Sequence, residues 1–237
     1  MADSLTFGDT DLSQWLTGIR VDRPLAAEVE LDTIDVPGRD GCVLNGSRRR
    51  PLTIEVEATV AAVTAAEVAE ARHAISAALA SEGTRRLVLP DDTGVYYEAV
   101  LTGATPLDRG YMRPRVQLTF SVPDACGWGV EERSARVTHG QNNVSVGGNA
   151  PTWPALALTT TSTWFSMTNN TNGDRYNVQS LSSGKALTID NREEVTTFDG
   201  AEVWPLMGYD YVTLVPGRNN ILLQYANGTM TWHDRWV

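Results

Sequence analysis

The chain has 237 residues, enough for one large domain or two of ordinary size, each with its own core. It carries 29 acidic and 19 basic side chains, a formal net charge of -10 at pH 7. Residues 1–128 contribute 12 basic and 19 acidic side chains (net -7), and the rest contribute 7 and 10 (net -3). An acidic protein repels phosphates and anionic membranes, so the charge argues against sequence-specific nucleic-acid binding and membrane attachment.

The N-terminus has neither the basic start nor the apolar stretch of a signal peptide. No later run approaches the about 18 apolar residues of a membrane helix. The sequence therefore predicts a soluble chain made in the cytoplasm, with Cys42 and Cys126 as two free thiols.

Three consecutive arginines, Arg48, Arg49 and Arg50, stand just before Pro51. In an acidic domain, such a run is typical of the tip of a hairpin that makes salt bridges or meets an acidic neighbour. A solvated loop and a phosphate contact are the alternatives. We favour a protein contact and predict that these arginines lie at a subunit interface.

Strands and one helix are predicted between residues 52 and 122. LTIEVEATV at 52–60 alternates apolar and polar side chains, and residues 116–122 repeat that pattern, as in a sheet with one wet face. Between them a helix is predicted over 64–82, because Thr64 and Glu67 form a capping-box signature before an apolar stripe. Residues 91–94 are predicted as the loop of a following hairpin.

The texture of the sequence changes near residue 128. Helical periodicity is lacking afterwards, and short strand candidates recur about every ten residues with turn residues between them, which favours an antiparallel sandwich. We therefore predict a mixed domain over 1–128 and an all-β domain over 129–237. Five tryptophans in the second domain suit its core better than sugar stacking: Trp153, Trp164, Trp204, Trp232 and Trp236.

Catalytic and metal-binding motifs are missing from the sequence. It has no nucleophile elbow, phosphate-binding loop, HExxH motif or EF-hand loop. The three histidines, His73, His139 and His233, have no Cys or second His at ligand spacing. We therefore predict no enzyme, no cofactor and no metal.

One acidic stretch, GKALTIDNREEVTTFDG at 184–200, needs separate consideration because it holds four carboxylates. They are Asp190, Glu193, Glu194 and Asp199. A glycosidase pair would need one carboxyl in an apolar pocket that raises its pKa, and nothing in the stretch supplies one. We favour the solvated rim of a sheet over a cation or sugar site, with each charge worth a few tenths of a kcal/mol.

Several runs, taken in order, resemble the distal tail proteins of siphophages. In the first half these are LTFGDTDLSQWLTGIRVDRPL from residue 5 and FSVPDACGWG from residue 120. The second half is more similar, through LSSGKALTIDNREEVTTFDGAEVW from residue 181 and YVTLVPGRNNILL from residue 211. The resemblance covers nearly the whole chain.

The resemblance implies a mainly β fold with one α-helix. Residues 1–128 would be a ring-forming belt domain of β-sandwich or split-barrel type, and 129–237 a galectin-like antiparallel β-sandwich. It also implies a structural virion protein, a hexameric hub joining the tail tube to tip and receptor-binding proteins around a channel for DNA. The chain lacks an insertion long enough for a carbohydrate-binding module, so direct host binding is not implied.

Two other functions stay open on the sequence. A carbohydrate-binding adhesin module would contact the host cell wall through exposed tryptophans. A glycoside hydrolase would rest on Asp190, Glu193 and Glu194 alone.

Overall fold

The computed structural model describes residues 4–80, 82–103 and 114–237. Within them the chain is mainly antiparallel β-structure with a single α-helix, which confirms the predicted fold class. The chain forms two compact units, one up to Gly127 together with Val237, and the other from Trp128 to Trp236. No helix in this described part is long and apolar enough to cross a membrane.

The first unit contains helix α1 (Ala65–Leu79) and nine strands that the structure describes. The strands are β1 (Thr6–Phe7), β2 (Thr10–Asp11), β3 (Leu16–Asp22), β4 (Val29–Asp35), β5 (Cys42–Arg49), β6 (Leu52–Val60), β7 (Arg85–Leu89), β8 (Asp92–Leu101) and β9 (Arg115–Val122). Seven of them pair antiparallel in the order β2-β1-β7-β8-β9-β6-β3. Among the described residues, β4 and β5 pair only with each other.

The alternation in β6 decides which side chains enter the core of this unit. Every second residue from Leu52 to Val60 is buried, and Glu55 and Glu57 between them are exposed. Strand β9 repeats the pattern beside it, and its Phe120 ring lies 5.2 Å from the ring of Phe7 between centroids. The predicted sheet with one wet face is confirmed.

Helix α1 begins where the sequence predicts and ends earlier. Thr64 Oγ1 accepts the N–H of Glu67 at 3.2 Å, and the Glu67 carboxylate accepts the N–H of Thr64 at 3.3 Å. The buried residues follow one stripe: Ala71, Ile75 and Leu79. The helix ends at Leu79 because Ala80, with φ -73° and ψ 87°, leaves the helical region. Ser81, near the predicted end at 82, lies outside the described residues.

The loop predicted over 91–94 is shorter in the structure. Leu89 pairs with Asp92, so β8 already begins at Asp92 and the turn consists of Pro90 and Asp91. The hairpin itself is confirmed.

The second unit contains two sheets. Its strands are β10 (Gly127–Val137), β11 (Gly140–Val146), β12 (Ala155–Thr160), β13 (Trp164–Asn169), β14 (Arg175–Gln179), β15 (Ala186–Asp190), β16 (Val195–Phe198), β17 (Ala201–Glu202), β18 (Gly217–Gln224) and β19 (Ala226–Trp236). One sheet has the order β17-β16-β15-β12-β19-β10 and the other β11-β18-β13-β14. Phe165 and Ile221 of one sheet share a buried cluster with Leu187 and Met230 of the other, so the unit is a sandwich.

Tyr176 is fully buried in this sandwich core. Its hydroxyl lies 2.6 Å from Oγ1 of Thr196. Burial raises the pKa of Tyr176 to about 12, because the core disfavours the phenolate, and the hydrogen bond to Thr196 offsets part of that effect. The folded-state pKa lies above that of the unfolded chain, so this residue's contribution to stability is lost as the pH rises from about 10 through about 12.

Candidate assembly surface

The hairpin of β4 and β5, which we call the arm (residues 29–49), is a two-stranded sheet of its own. Its strands are joined over residues 36–41, where Gly38 and Gly41 have φ of +83° and +79°. A register shift after Asp32 leaves Asn45 without an opposite residue, which makes a bulge. A two-stranded sheet on its own is marginally stable in water, so the arm needs another surface.

Apolar side chains on the arm face solvent in the isolated chain. Cross-strand partners share a face, so Val29, Leu31 and Leu44 lie on one side, with Arg49 opposite Val29. Six large apolar residues of the arm and its turn are each 37–60% exposed: Val29, Leu31, Ile34, Val36, Val43 and Leu44. Contiguous exposed apolar residues mark contact surfaces on soluble proteins.

The three predicted interface arginines lie at the base of the arm, and not at its tip, because the turn is at residues 36–41. Nε and Nη2 of Arg48 are both 2.8 Å from Oε2 of Glu30. Arg50 lies 3.6 Å from Glu28 and 3.7 Å from Glu30. Arg49 lies on the other face of the arm, with Val29, and has no ion pair with any described residue. The base of the arm therefore holds Arg48 and Arg50 in ion pairs and leaves Arg49 without one among the described residues.

The outward face of β3 and β6 carries a carboxylate pair. Asp22 lies directly opposite Glu55 in the antiparallel register, and both are exposed. Gln117 Nε2 donates to Glu55 at 3.1 Å, but neither carboxylate has an ion pair with a described residue. Like charges directly opposite each other destabilise a sheet, so this pair favours a contact with a cation.

The four carboxylates of residues 184–200 do not converge. Asp190 Oδ1 accepts the N–H groups of the second and third residues after it, at 3.0 and 3.1 Å, and so holds the β15–β16 turn. Asp199 pairs with Lys185 at 2.9 Å, and Glu193 and Glu194 are exposed. The geometry supports the rim interpretation, but Asp190 also holds the turn, so we expect it to contribute more than the few tenths of a kcal/mol of an exposed charge.

The histidines occupy three separate places. His73 is exposed on α1, His139 Nδ1 accepts the N–H of Tyr225 at 3.0 Å, and His233 Nδ1 lies 2.7 Å from the carbonyl of Gly129. In the part of the chain that the structure describes, no group of three His, Cys, Asp or Glu side chains is placed to hold a metal ion.

The tryptophans of the second unit are not all core residues, contrary to the prediction. Trp232 is buried, and Trp153 and Trp164 are half-buried. Trp236 and Trp204 are exposed, Trp204 more than any other tryptophan in the structure. Trp204 lies outside any strand, just after the edge strand β17, whereas Trp232 lies inside β19.

The apolar face of the arm was missed in the sequence. The signal that could have found it is the spacing of Val29 and Leu31, followed by Val43 and Leu44 across a Gly-rich turn.

Two family models match the chain. The RIFT-related domain of phage tail proteins matches residues 11–122, and the C-terminal domain of the siphovirus-type tail component matches residues 147–236. No curated protein sequence matches the chain.

Solved structures give the same fold. The Dit (gp 19.1) protein of phage SPP1 is 16% identical, with a TM-score of 0.84 over 100% of both chains. A chain of the phage P2 baseplate in its activated conformation with Ca is 8% identical, with a TM-score of 0.57 over 96% of this chain and 93% of that one. The corresponding structure with Sr is 8% identical, with a TM-score of 0.55 over 98% of this chain and 90% of that one.

The two domain matches and the shared fold define a class, the two-domain tail components of siphovirus-type phages. The chain belongs to the distal tail protein (Dit) family. It is a component of a siphovirus-type phage tail, and so virion-associated.

Proposed function

We propose that six copies of this chain form a ring at the distal tip of a long non-contractile tail, made through the first unit. The ring joins the tail tube protein to the tip and receptor-binding proteins and leaves a central channel for DNA. Family membership supports this role, and the SPP1 relative is described as a paradigm of the hub adsorption apparatus in phages that infect Gram-positive hosts.

The observation that carries the proposal is the arm. It is a two-stranded sheet with exposed apolar residues on both sides, and burial against a neighbour would stabilise it. A patch on one copy that meets a different patch on the next gives a closed ring when the rotation closes. The arm and the face that receives it are such a pair of different patches.

The receiving face that best fits the arm is the outward side of β3 and β6. Arg49 brings an unused cation next to Val29, and the Asp22–Glu55 pair offers two carboxylates without a cation. Docking the arm of one copy on this face of the next would relieve the repulsion between the two carboxylates.

The charge of the first domain suits a channel. Its net charge of -7 repels DNA phosphates, so we expect DNA to pass without adhering. The proposed role needs no cofactor, no membrane and no sequence-specific nucleic acid, and the chain has no catalytic role in it. Synthesis in the host cytoplasm before assembly at the tail tip follows from the same role.

Light scattering after size exclusion tests the ring with matched charge variants of the full chain. Arg49→Glu should weaken assembly, because it sets a carboxylate against Asp22 and Glu55. Glu55→Arg should weaken it as well, and the double variant should regain it. Rescue in the double variant supports the pairing, and additive losses contradict it.

Fragments test which domain assembles. Residues 1–128 should still form the ring, and residues 129–237 should be monomeric. A monomeric first fragment beside an oligomeric second fragment would refute assembly through the first domain.

A further inference from the structure

The segment Val203–Tyr209, which we call the 203–209 loop, exposes large apolar side chains on the second unit. Trp204 is 69% exposed and Met207 101% exposed, with Leu206 at 36% and Tyr209 at 40%. Trp and Tyr are enriched among the residues that carry most of the energy of protein interfaces, and Met is enriched in interfaces generally.

Backbone hydrogen bonds hold this loop in place. The N–H of Val203 donates to the carbonyl of Thr196 at 2.9 Å, and the N–H of Leu206 donates to the carbonyl of Asn177 at 2.9 Å. The N–H of Tyr209 closes a turn onto the carbonyl of Leu206 at 3.0 Å. The loop is therefore pre-ordered, which lowers the entropy that a partner must overcome on binding.

Strand register places a further apolar residue beside the loop. Thr197 pairs with Glu202, and the Val203–Thr196 hydrogen bond continues the same register. The same register, extended by one residue, would place Trp204 opposite Val195, which is 41% exposed. The loop and Val195 thus form one apolar patch.

Several carboxylates lie close to the patch along the chain. Residues 186–211 contain six acidic side chains and a single arginine. Glu194 and Glu202 flank Val195 and Val203 in sequence, and both are exposed. We call Glu194 and Glu202 the acidic rim of the patch, because each is next to one of its apolar residues in the chain.

We propose that the 203–209 loop docks a tail protein other than this chain, which presents an apolar pocket edged by Lys and Arg side chains. This inference rests on the proposed hub function, which requires non-identical neighbours. Charge complementarity selects the partner, because basic side chains would meet the acidic rim as the apolar residues are buried.

Charge and composition disfavour the other occupants. A second copy binding through the same patch would bring two acidic rims together. A sugar site would pair an aromatic face with nearby polar groups, whereas the other large exposed residues of the patch include Val195, Leu206 and Met207, which are apolar.

Photo-crosslinking in assembled tails tests the proposal. In one preparation, the full-length chain carries p-benzoylphenylalanine in place of Met207. The control carries it in place of Gln141, which is exposed on β11. Position 207 should join a different tail protein, with Lys or Arg near the joined residue in the mapped peptide, and position 141 should not join that protein. Adducts only between copies of this chain, or none at position 207, would overturn the proposal.

A double variant separates the docking proposal from the proposed hub function. Glu194→Lys with Glu202→Lys should cut the yield at position 207 at least tenfold while the chain still enters tails, since the rim lies on the second unit. An unchanged yield would overturn the charge argument. Chain that never enters tails at either labelled position refutes the hub itself, whereas entry without a position-207 adduct refutes only the docking loop.

Binding of a glycan by the loop is the remaining alternative. Host cell-wall polysaccharide is titrated into the purified full chain and into Trp204→Ser. Trp204 is exposed, so the substitution should leave the melting temperature unchanged. We expect no binding that depends on Trp204, and binding that the variant loses would assign the loop to sugar and overturn the proposal.

Discussion

Replacing Leu31 and Leu44 of the arm by serine should break assembly without unfolding the subunit. These side chains are 58% and 60% exposed in the isolated chain, so little core packing is lost. Full burial of a leucine is worth about 1.5–3 kcal/mol, and covering the part exposed here about 1–2 kcal/mol. The two substitutions together weaken the binding free energy of each subunit contact by about 2–4 kcal/mol, which lowers its affinity about 30- to 1,000-fold.

Light scattering after size exclusion measures the mass, and thermal unfolding measures the stability of the subunit. Val63→Ser is the matched control, since Val63 is 71% exposed in the same unit but lies outside the arm. The double variant should be monomeric at concentrations where the wild type and the control are oligomeric. An oligomer of unchanged stability in the double variant would refute the role of the arm.

Three further predictions concern charge and burial. Replacing Arg48–Arg50 together by glutamate should abolish the ring, because position 49 then repels the carboxylates of the neighbour and the other two repel Glu28 and Glu30 of their own chain; a ring of unchanged mass would remove these arginines from the interface. Asp190→Ala should lower the free energy of unfolding by about 1 kcal/mol through its turn hydrogen bonds, and Glu194→Ala by only a few tenths; equal losses would contradict this difference. Tyr176→Phe should be less stable than wild type at pH 7, by about 1 kcal/mol for the lost hydrogen bond. It should lose less stability than wild type between pH 10 and about 12, as urea unfolding at each pH would show; parallel losses would refute the buried phenol's role.

The sequence predicted best where short-range patterns decide the structure. The alternation of residues 52–60 and the cap at Thr64 both lie where the pattern placed them, and every second residue of 52–60 is buried. The Asp199-Gly200 turn also follows local chemistry, since both residues have positive φ, 48° and 84°.

The arm and the 203–209 loop could not be predicted in the same way. Val29, Leu31 and Leu44 are apolar, and apolar residues in a strand predict burial, which here depends on another chain. Trp204 was assigned to the core for the same reason. One sequence does not distinguish burial within a subunit from burial between subunits, because the hydrophobic effect is the same in both.

Electron cryo-microscopy of the distal end of the assembled tail tests the central claim most directly. We expect six copies of this chain around an open channel, with the arm of each copy lying on the β3–β6 face of its neighbour and Arg49 next to Asp22 and Glu55. A different copy number, or arms that contact no neighbouring copy, would contradict this claim.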